Sequence, residues 1–289
     1  MRVHLVDGTY ELFRQHFGAS SRHEDRHPYS AAAGVVGSTL TLVQDGATHI
    51  AIASDHIIES FRNDMWPGYK SSVGMDPEIL EQIPVVERAL EAAGFVVWPM
   101  VEFEADDALG AAAALAAADE RVEQVLIVTA DKDLGQCVVG TRVVQYDRRN
   151  RMIIDEDGVR AKFGVGPASI PDYLGLVGDS ADGFPGLPGW GSKSAALVLA
   201  RYEHLESIPA AAGQWDVAGL RGAPKLSATL QANMADALLF RRIATVDTNV
   251  EVGTVDSWRW TGATDDFAAA AEEIGAPDLV QFAARLTPA

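Results

Sequence analysis

A single cysteine, Cys137, is present in 289 residues. A lone thiol excludes an internal disulfide and a thiolate zinc centre and fits a reducing cytoplasm; Cys137 itself reads as a small buried side chain. No apolar run approaches the roughly 18 residues that suggest a membrane span, so no membrane partner is expected. The opening Met1-Arg2-Val3-His4-Leu5-Val6-Asp7 has neither the long apolar core nor the small-residue cleavage site of a signal peptide, and reads as a strand. Positive charge is also scarce. The chain carries 41 acids against 23 bases, a formal charge of −18, which argues against a non-specific nucleic-acid coat. The seven histidines fall at no metal-ligand spacing, and His56 beside Asp55 reads as an exposed loop residue. Internal repeats and low-complexity linkers are lacking.

What is present is an alternation of short β-rich runs with longer, alanine-rich stretches. Strands are predicted at 2–6, 49–53, 95–99, 124–129 and 142–146, with helices between them at 30–43, 77–93 and 105–118. Strands separated by crossover helices imply an α/β fold with a mostly parallel sheet covered on both faces. Ligand sites in such sheets form outside the carboxyl ends of the strands.

The acids fall at those ends. Asp7 follows the first strand and Asp55 the second; Glu104, Asp106 and Asp107 come shortly after the third, and Asp131 and Asp133 follow the fourth. One acid after a strand is ordinary turn or cap chemistry. Acids after four successive strands would all gather at one edge. Glu104-Ala105-Asp106-Asp107 suits a helix first turn, where the dipole favours negative charge, yet three acids in four residues repel one another without a cation among them. Asp131 and Asp133 point the same way if the segment is extended. Asp179 and Asp182 lie in a glycine-rich loop, where they serve equally as turn formers. Hard oxygen ligands suit Mg²⁺ or Mn²⁺ rather than zinc.

After about residue 165 glycine and proline concentrate in a run from Gly178 through Gly186-Leu187-Pro188-Gly189-Trp190-Gly191-Ser192-Lys193, with a helix predicted at 194–202. This reads as a helical module entered through a tight hairpin. The tail after about 245 mixes strand-like and helical pieces.

Taken in order, Leu5-Val6-Asp7-Gly8, Phe61-Arg62 with Tyr69-Lys70, Glu104-Ala105-Asp106-Asp107, Asp131-Lys132-Asp133-Leu134 and Gly178-Asp179-Ser180-Ala181-Asp182 running into Pro188-Gly189-Trp190-Gly191 resemble a known family. It is that of the 5′-nuclease domain on bacterial repair DNA polymerases and, more widely, the flap endonucleases. The resemblance spans residues 5 to about 200. It implies a three-layer PIN-like core over 1–165, an inserted helix–hairpin–helix-like DNA-binding module over 166–240, and a segment 241–289 packing back on the core. It implies a metal-dependent structure-specific 5′-nuclease, both 5′-3′ exonuclease and 5′-flap endonuclease, working as a monomer with two divalent cations (Mg²⁺ or Mn²⁺).

Carried over by the resemblance, one ion draws on Asp7, Asp55, Glu104 and Asp106. The other draws on Asp131, Asp133, Asp179 and Asp182, with Asp107 in the shared cluster. Setting those nine acids aside halves the charge excess from −18 to −9. Lys70 and Arg62 match the basic residues near the scissile phosphate. Phe13 and Arg14 match an aromatic that stacks on a base and an arginine near the backbone. Gly186, Gly189, Gly191, Ser192 and Lys193 match the hairpin that grips duplex backbone, with K⁺ on its carbonyls. A family arginine three residues after Lys70 is replaced by Val73. Implied substrates are DNA with 5′ flaps, nicks or 5′ ends, and RNA primer–DNA hybrids.

Other readings are weaker on the residues. A haloacid-dehalogenase phosphatase would match Asp7-Gly8-Thr9, but its nucleophile position is Leu5, which cannot attack phosphorus. A P-loop would need lysine where Ser192 stands, one residue before Lys193. A PIN-type ribonuclease shares the sheet and several acids, though not the hairpin module. A non-catalytic binder of branched DNA stays open.

Overall fold

A computed structural model describes residues 1–18 and 27–287. Six strands form one sheet: β1 (Arg2–Asp7), β2 (His49–Asp55), β3 (Val96–Met100), β4 (Gln124–Val128), β5 (Val143–Asp147) and β6 (Met152–Ile154). Their order is β3-β2-β1-β4-β5-β6. The first five are parallel, and β6 returns antiparallel against β5. The chain builds outward from β1 in one direction and from β4 in the other. The carboxyl ends of β1 and β4 therefore flank the crevice where doubly wound sheets bind ligands.

The mainly apolar sequences of β1, β2 and β4 follow from burial on both faces. Val6, Ile50, Ile52 and Val128 turn to one face, where α2 (Ser30–Gln44) and α4 (Pro77–Ala92) pack. Leu5, Ala51, Ala53, Val125 and Ile127 turn to the other, against α5 (Ala105–Ala118). The alanines of α5 let its backbone lie close to the sheet, which keeps its first turn at the carboxyl edge. Two short helices, α1 (Gly8–His16) and α3 (Phe61–Met65), lie on the way between these elements. Neither is predicted from the sequence; α1 is capped by Asp7, whose Oδ1 accepts from Tyr10 N at 2.8 Å.

A third apolar cluster holds the helical module of α6 (Glu156–Phe163), α7 (Ile170–Val177), α8 (Ser192–Tyr202), α9 (Ala223–Ala232) and α10 (Met234–Ala244). Helix α8 begins two residues before its predicted start. Gly191 is its N-cap and donates to Ser194 Oγ at 3.1 Å, so Ser192 and Lys193 already sit in the first turn. After Ala244 there is no strand among the described residues, only an isolated bridge between Arg259 and His49. It places the tail at the amino end of β2, away from the acids. Trp260 joins the core under α4 and donates to Ala93 O at 2.9 Å. The closing helices α11 (Phe267–Glu273) and α12 (Asp278–Arg285) contact α4 and α2.

The loop between α7 and α8 is folded back on itself. Asp179 N donates to Phe184 O at 2.8 Å and Leu187 N to Leu176 O at 2.8 Å. Gly186 has φ +67, and a Cβ there would stand 2.6 Å from the Leu176 carbonyl oxygen. Gly189 has φ +83 with open space around it. Gly186→Ala is therefore expected to cost roughly 2–3 kcal/mol, since strain and a backbone clash add, while Gly189→Ala costs about 1 kcal/mol. Urea unfolding of the two variants checks this; equal stabilities would contradict it.

Candidate metal centre

The carboxyl edge of the sheet positions the acids. Asp7 ends β1; its Oδ2 accepts from Thr129 Oγ1 at 2.9 Å, tying β1 to the residue after β4. Asp55 ends β2; its Oδ1 accepts from Ala105 N at 2.8 Å, which fastens the start of α5 beside it. The backbone N–H of Asp55 donates to Thr9 Oγ1 at 2.8 Å. Glu104 is the N-cap of α5, and its carboxylate accepts from Ser60 Oγ at 2.8 Å and from the buried Tyr69 hydroxyl at 3.0 Å. Asp106 lies in the first turn of α5. Asp131 Oδ1 accepts from Asp133 N at 3.0 Å, so the two acids share a turn rather than an extended run.

A cleft of about 440 Å³ opens over this edge, lined by Asp7, Asp55, Glu104, Asp106, Asp131, Asp182 and Lys70, with Phe13, Ile58 and Met75 as its apolar wall. Beside it Asp133, Asp179 and Asp182 bring carboxylate oxygens within 4.8 Å of one another. Asp182 belongs to both groups. Lys70 reaches between them, its Nζ 3.3 Å from Glu104 Oε2 and 3.5 Å from Asp182 Oδ1. Its backbone N–H donates to Asp182 O at 3.0 Å, which holds the glycine-rich loop against the core.

The electrostatics record the crowding. Burial, reinforced by the charges of Asp55 and Asp131, pushes Asp7 up to about 7. Burial and the Asp131 charge raise Asp106 and Asp133 well above the usual carboxylate range. Burial raises Asp55 and Asp182 as well, against the pull of Lys70. Burial works against the charge on Lys70, but Glu104 and Asp182 outweigh it and hold the ammonium firmly protonated. Asp133 Oδ1 is buried without a hydrogen-bond partner. An all-oxygen set with an orphaned, buried acceptor fits a hard divalent cation.

Two expectations need correction. Arg62 and Asp107 do not reach the cleft. Arg62 is 2% exposed; its Nη1 and Nη2 donate to the two Asp107 oxygens at 2.8 and 2.7 Å, its Nε to Ile243 O at 2.8 Å, and Nη2 also to Thr245 O at 3.1 Å. Asp107 further accepts from Glu104 N at 2.9 Å and Asp247 N at 2.7 Å. With its oxygens so engaged it has no room for a metal. The pair clamps α5 to α3 and to the end of α10.

His56 stands in a loop with its side chain 38% exposed, in line with expectation, but it is tied to the core on one side. Its Nδ1 lies 2.7 Å from Oε2 of the buried Glu87, whose Oε1 accepts from Ser54 Oγ at 2.6 Å. Arg14 directs Nε to Glu11 at 3.1 Å, and Phe13 lines the cleft. At the hairpin, Gly189, Gly191, Ser192 and Lys193 are exposed, whereas Gly186 is buried. Ser60, Thr129 and Glu87 were not singled out by the sequence, and Tyr69 and Thr9 entered only as members of motifs, with no role of their own. Thr9 and Thr129, each two residues from a clustered aspartate, were the nearest to a signal.

Models of the 5′-3′ exonuclease N-terminal resolvase-like domain and of the 5′-3′ exonuclease C-terminal SAM fold match residues 2–164 and 165–266. DNA polymerase I of Pseudomonas aeruginosa is 34% identical over 252 residues, covering 86% of this chain and 27% of that protein. DNA polymerase I of Mycobacterium tuberculosis is 31% identical over 247 residues, covering 83% and 26%. The chain thus spans about a quarter of the length of these relatives. Among solved structures, T5 5′-exonuclease with bound zinc superposes with a TM-score of 0.70 at 17% identity, covering 99% of this chain and 98% of that one. The catalytic core of Rad2 in complex with DNA substrate gives 0.61 at 14%, covering 99% and 92%.

Raised carboxylates make the ion-free protein sensitive to pH. Asp7 gains its proton more readily folded than unfolded, so its stabilising contribution is complete below the unfolded value near 4 and is lost as pH rises through about 7. The melting temperature of chelator-treated protein is expected to fall between about pH 5 and about pH 8, with a shallower fall in Asp7→Asn. Saturating Mn²⁺ is expected to restore stability most at the alkaline end. A melting temperature that rises over this interval without metal would contradict the clustering.

Proposed function

Because this chain belongs to the 5′-3′ exonuclease family, we propose that it is a structure-specific 5′-nuclease that hydrolyses DNA phosphodiesters, trimming 5′ ends and cutting 5′ flaps. The observation that carries this reading is the gathering of eight carboxylates from five separate segments at the carboxyl edge of the sheet, with Lys70 reaching in among them. We assign one divalent ion, Mg²⁺ or Mn²⁺, to Asp7, Asp55, Glu104 and Asp106, and a second to Asp131, Asp133, Asp179 and Asp182. Such ions supply Lewis acidity and a nucleophile at neutral pH.

The chain's own residues do the rest. Lys70 is pinned by its backbone and directs its ammonium between the two acid groups, where negative charge grows on a phosphoryl oxygen; a fixed positive charge there lowers the barrier. Glu104 is held in place by Ser60 and Tyr69, so it cannot swing toward the arriving backbone. Phe13 forms part of the apolar wall on which a terminal base can stack. The exposed turn from Gly189 to Lys193 presents the amino end of α8 and one full charge to a duplex phosphate. We place K⁺ on carbonyls of this turn.

Contacts of that kind position the duplex without reading bases. Substrates are DNA with 5′ flaps, nicks or 5′ ends, and RNA primer–DNA hybrids, handled by a monomer. We divide the chain into the core 1–165, the module 166–240 and the segment 241–289.

Two lysines separate chemistry from grip. Lys70→Ala is expected to lower turnover on a labelled 5′-flap duplex by roughly 100-fold or more with little change in flap binding. Lys193→Glu is expected to weaken cutting of duplex-bearing flaps far more than of bare single strands, and to flatten the salt dependence of duplex binding. Equal losses in rate and affinity for Lys70→Ala would mean that it only attracts DNA.

A further inference from the structure

The cluster Asp133–Asp179–Asp182 is served by a cation of the chain itself. Lys132 stands between Asp131 and Asp133 in sequence, and the turn closed by Asp133 N on Asp131 Oδ1 directs its side chain back over the cluster. Its ammonium contacts the Asp179 carboxylate directly and lies 4.0 Å from the orphaned Asp133 Oδ1. Lys70 serves different oxygens, those of Glu104 and Asp182.

We propose that Lys132 is a tethered counter-cation that occupies this carboxylate cluster when no divalent ion is bound and is displaced when one enters. The inference rests on reading the cluster as a metal site. Ammonium and divalent ion compete for the same oxygens of Asp179, and the charge of Lys132 repels a dication from Asp133. The side chain is 36% exposed on a flexible four-carbon stem, so it can leave toward solvent without disturbing the core. Lys132 thereby steadies the ion-free protein and weakens the second ion relative to the first. Entry of that ion swings a positive charge out to the rim.

The test is calorimetric titration of metal-stripped wild type, Lys132→Met and Lys132→Arg with Mn²⁺, together with melting temperatures with and without the ion. Lys132→Met keeps a similar stem without the charge. It is expected to bind Mn²⁺ at the weaker site about tenfold more tightly. It is also expected to melt a few degrees lower than wild type without metal, with the gap closing in saturating Mn²⁺. Lys132→Arg should stay close to wild type in both measurements. Lys132→Gln provides a second neutral variant if the methionine perturbs folding. Two ions bound by wild type, with unchanged or weaker Mn²⁺ affinity in the neutral variants, would overturn the role of Lys132. A wild type that binds no Mn²⁺ would overturn the metal reading itself.

Discussion

Repulsion among eight carboxylates held at one edge of a sheet is the constraint around which this molecule is arranged. Asp7, Asp55, Asp106, Asp133 and Asp182 are all raised above the usual carboxylate range, chiefly by burial and further by the charges of neighbouring carboxylates. Left alone, such a cluster would push its segments apart. Two lysines take most of the load, Lys70 between Glu104 and Asp182 and Lys132 over Asp179 and Asp133, while the buried Arg62 guanidinium backs Glu104 at 3.5 Å. The remaining demand for positive charge is what makes the edge suited to divalent ions. On the proposed function, the same demand would let an acidic protein of charge −18 act on an acidic polymer, with the attraction supplied by bound cations and a few placed lysines rather than by the bulk surface.

Holding the cluster together requires anchors that do not themselves face the cleft. The Arg62–Asp107 pair is the main one. It joins α3, α5 and the end of α10 through a guanidinium and a carboxylate whose hydrogen-bonding positions are used. Breaking such a buried pair on one side strands a charge, which is far more costly than the pair's net contribution. Ser54, His56 and Glu87 play a smaller, similar part behind Asp55, fastening the end of β2 to the middle of α4. The glycine-rich loop is then drawn in by the Lys70–Asp182 backbone bond. The α/β core and the helical module are in this way joined at the site they share.

Much of this was legible in the residues. β1, β2 and β4 are largely apolar runs buried on both faces, with His4 the one polar residue inside β1, and they appear within a residue or two of their expected bounds. The acids could be placed at one edge because the parallel sheet puts every carboxyl end on the same side. β6 was missed, since three residues after a polar turn carry too little pattern to read. Arg62 was misread for a physical reason. A guanidinium fork fits a carboxylate as well as a phosphate, and spacing along a chain cannot say which partner the fold delivers. His56 is half-exposed as expected, and its tie to Glu87 was missed because that partner lies on a distant helix. Asp107 looked like its neighbours in the Glu104 segment, yet a helix turns each successive side chain by about 100°, and that rotation sends it into the core.

The account stands or falls on whether the acid cluster hydrolyses phosphodiesters through divalent ions. The direct measurement is cleavage of a labelled 5′-flap duplex by metal-stripped protein, in chelator and after adding Mg²⁺ or Mn²⁺, for wild type and Asp106→Asn. The account predicts no cutting in chelator, cutting near the junction when either ion is added, and a loss of roughly 100-fold or more in Asp106→Asn at saturating ion with the flap still bound. Cutting that persists in chelator, or a metal-independent band shift with no cleavage under any ion, would contradict it.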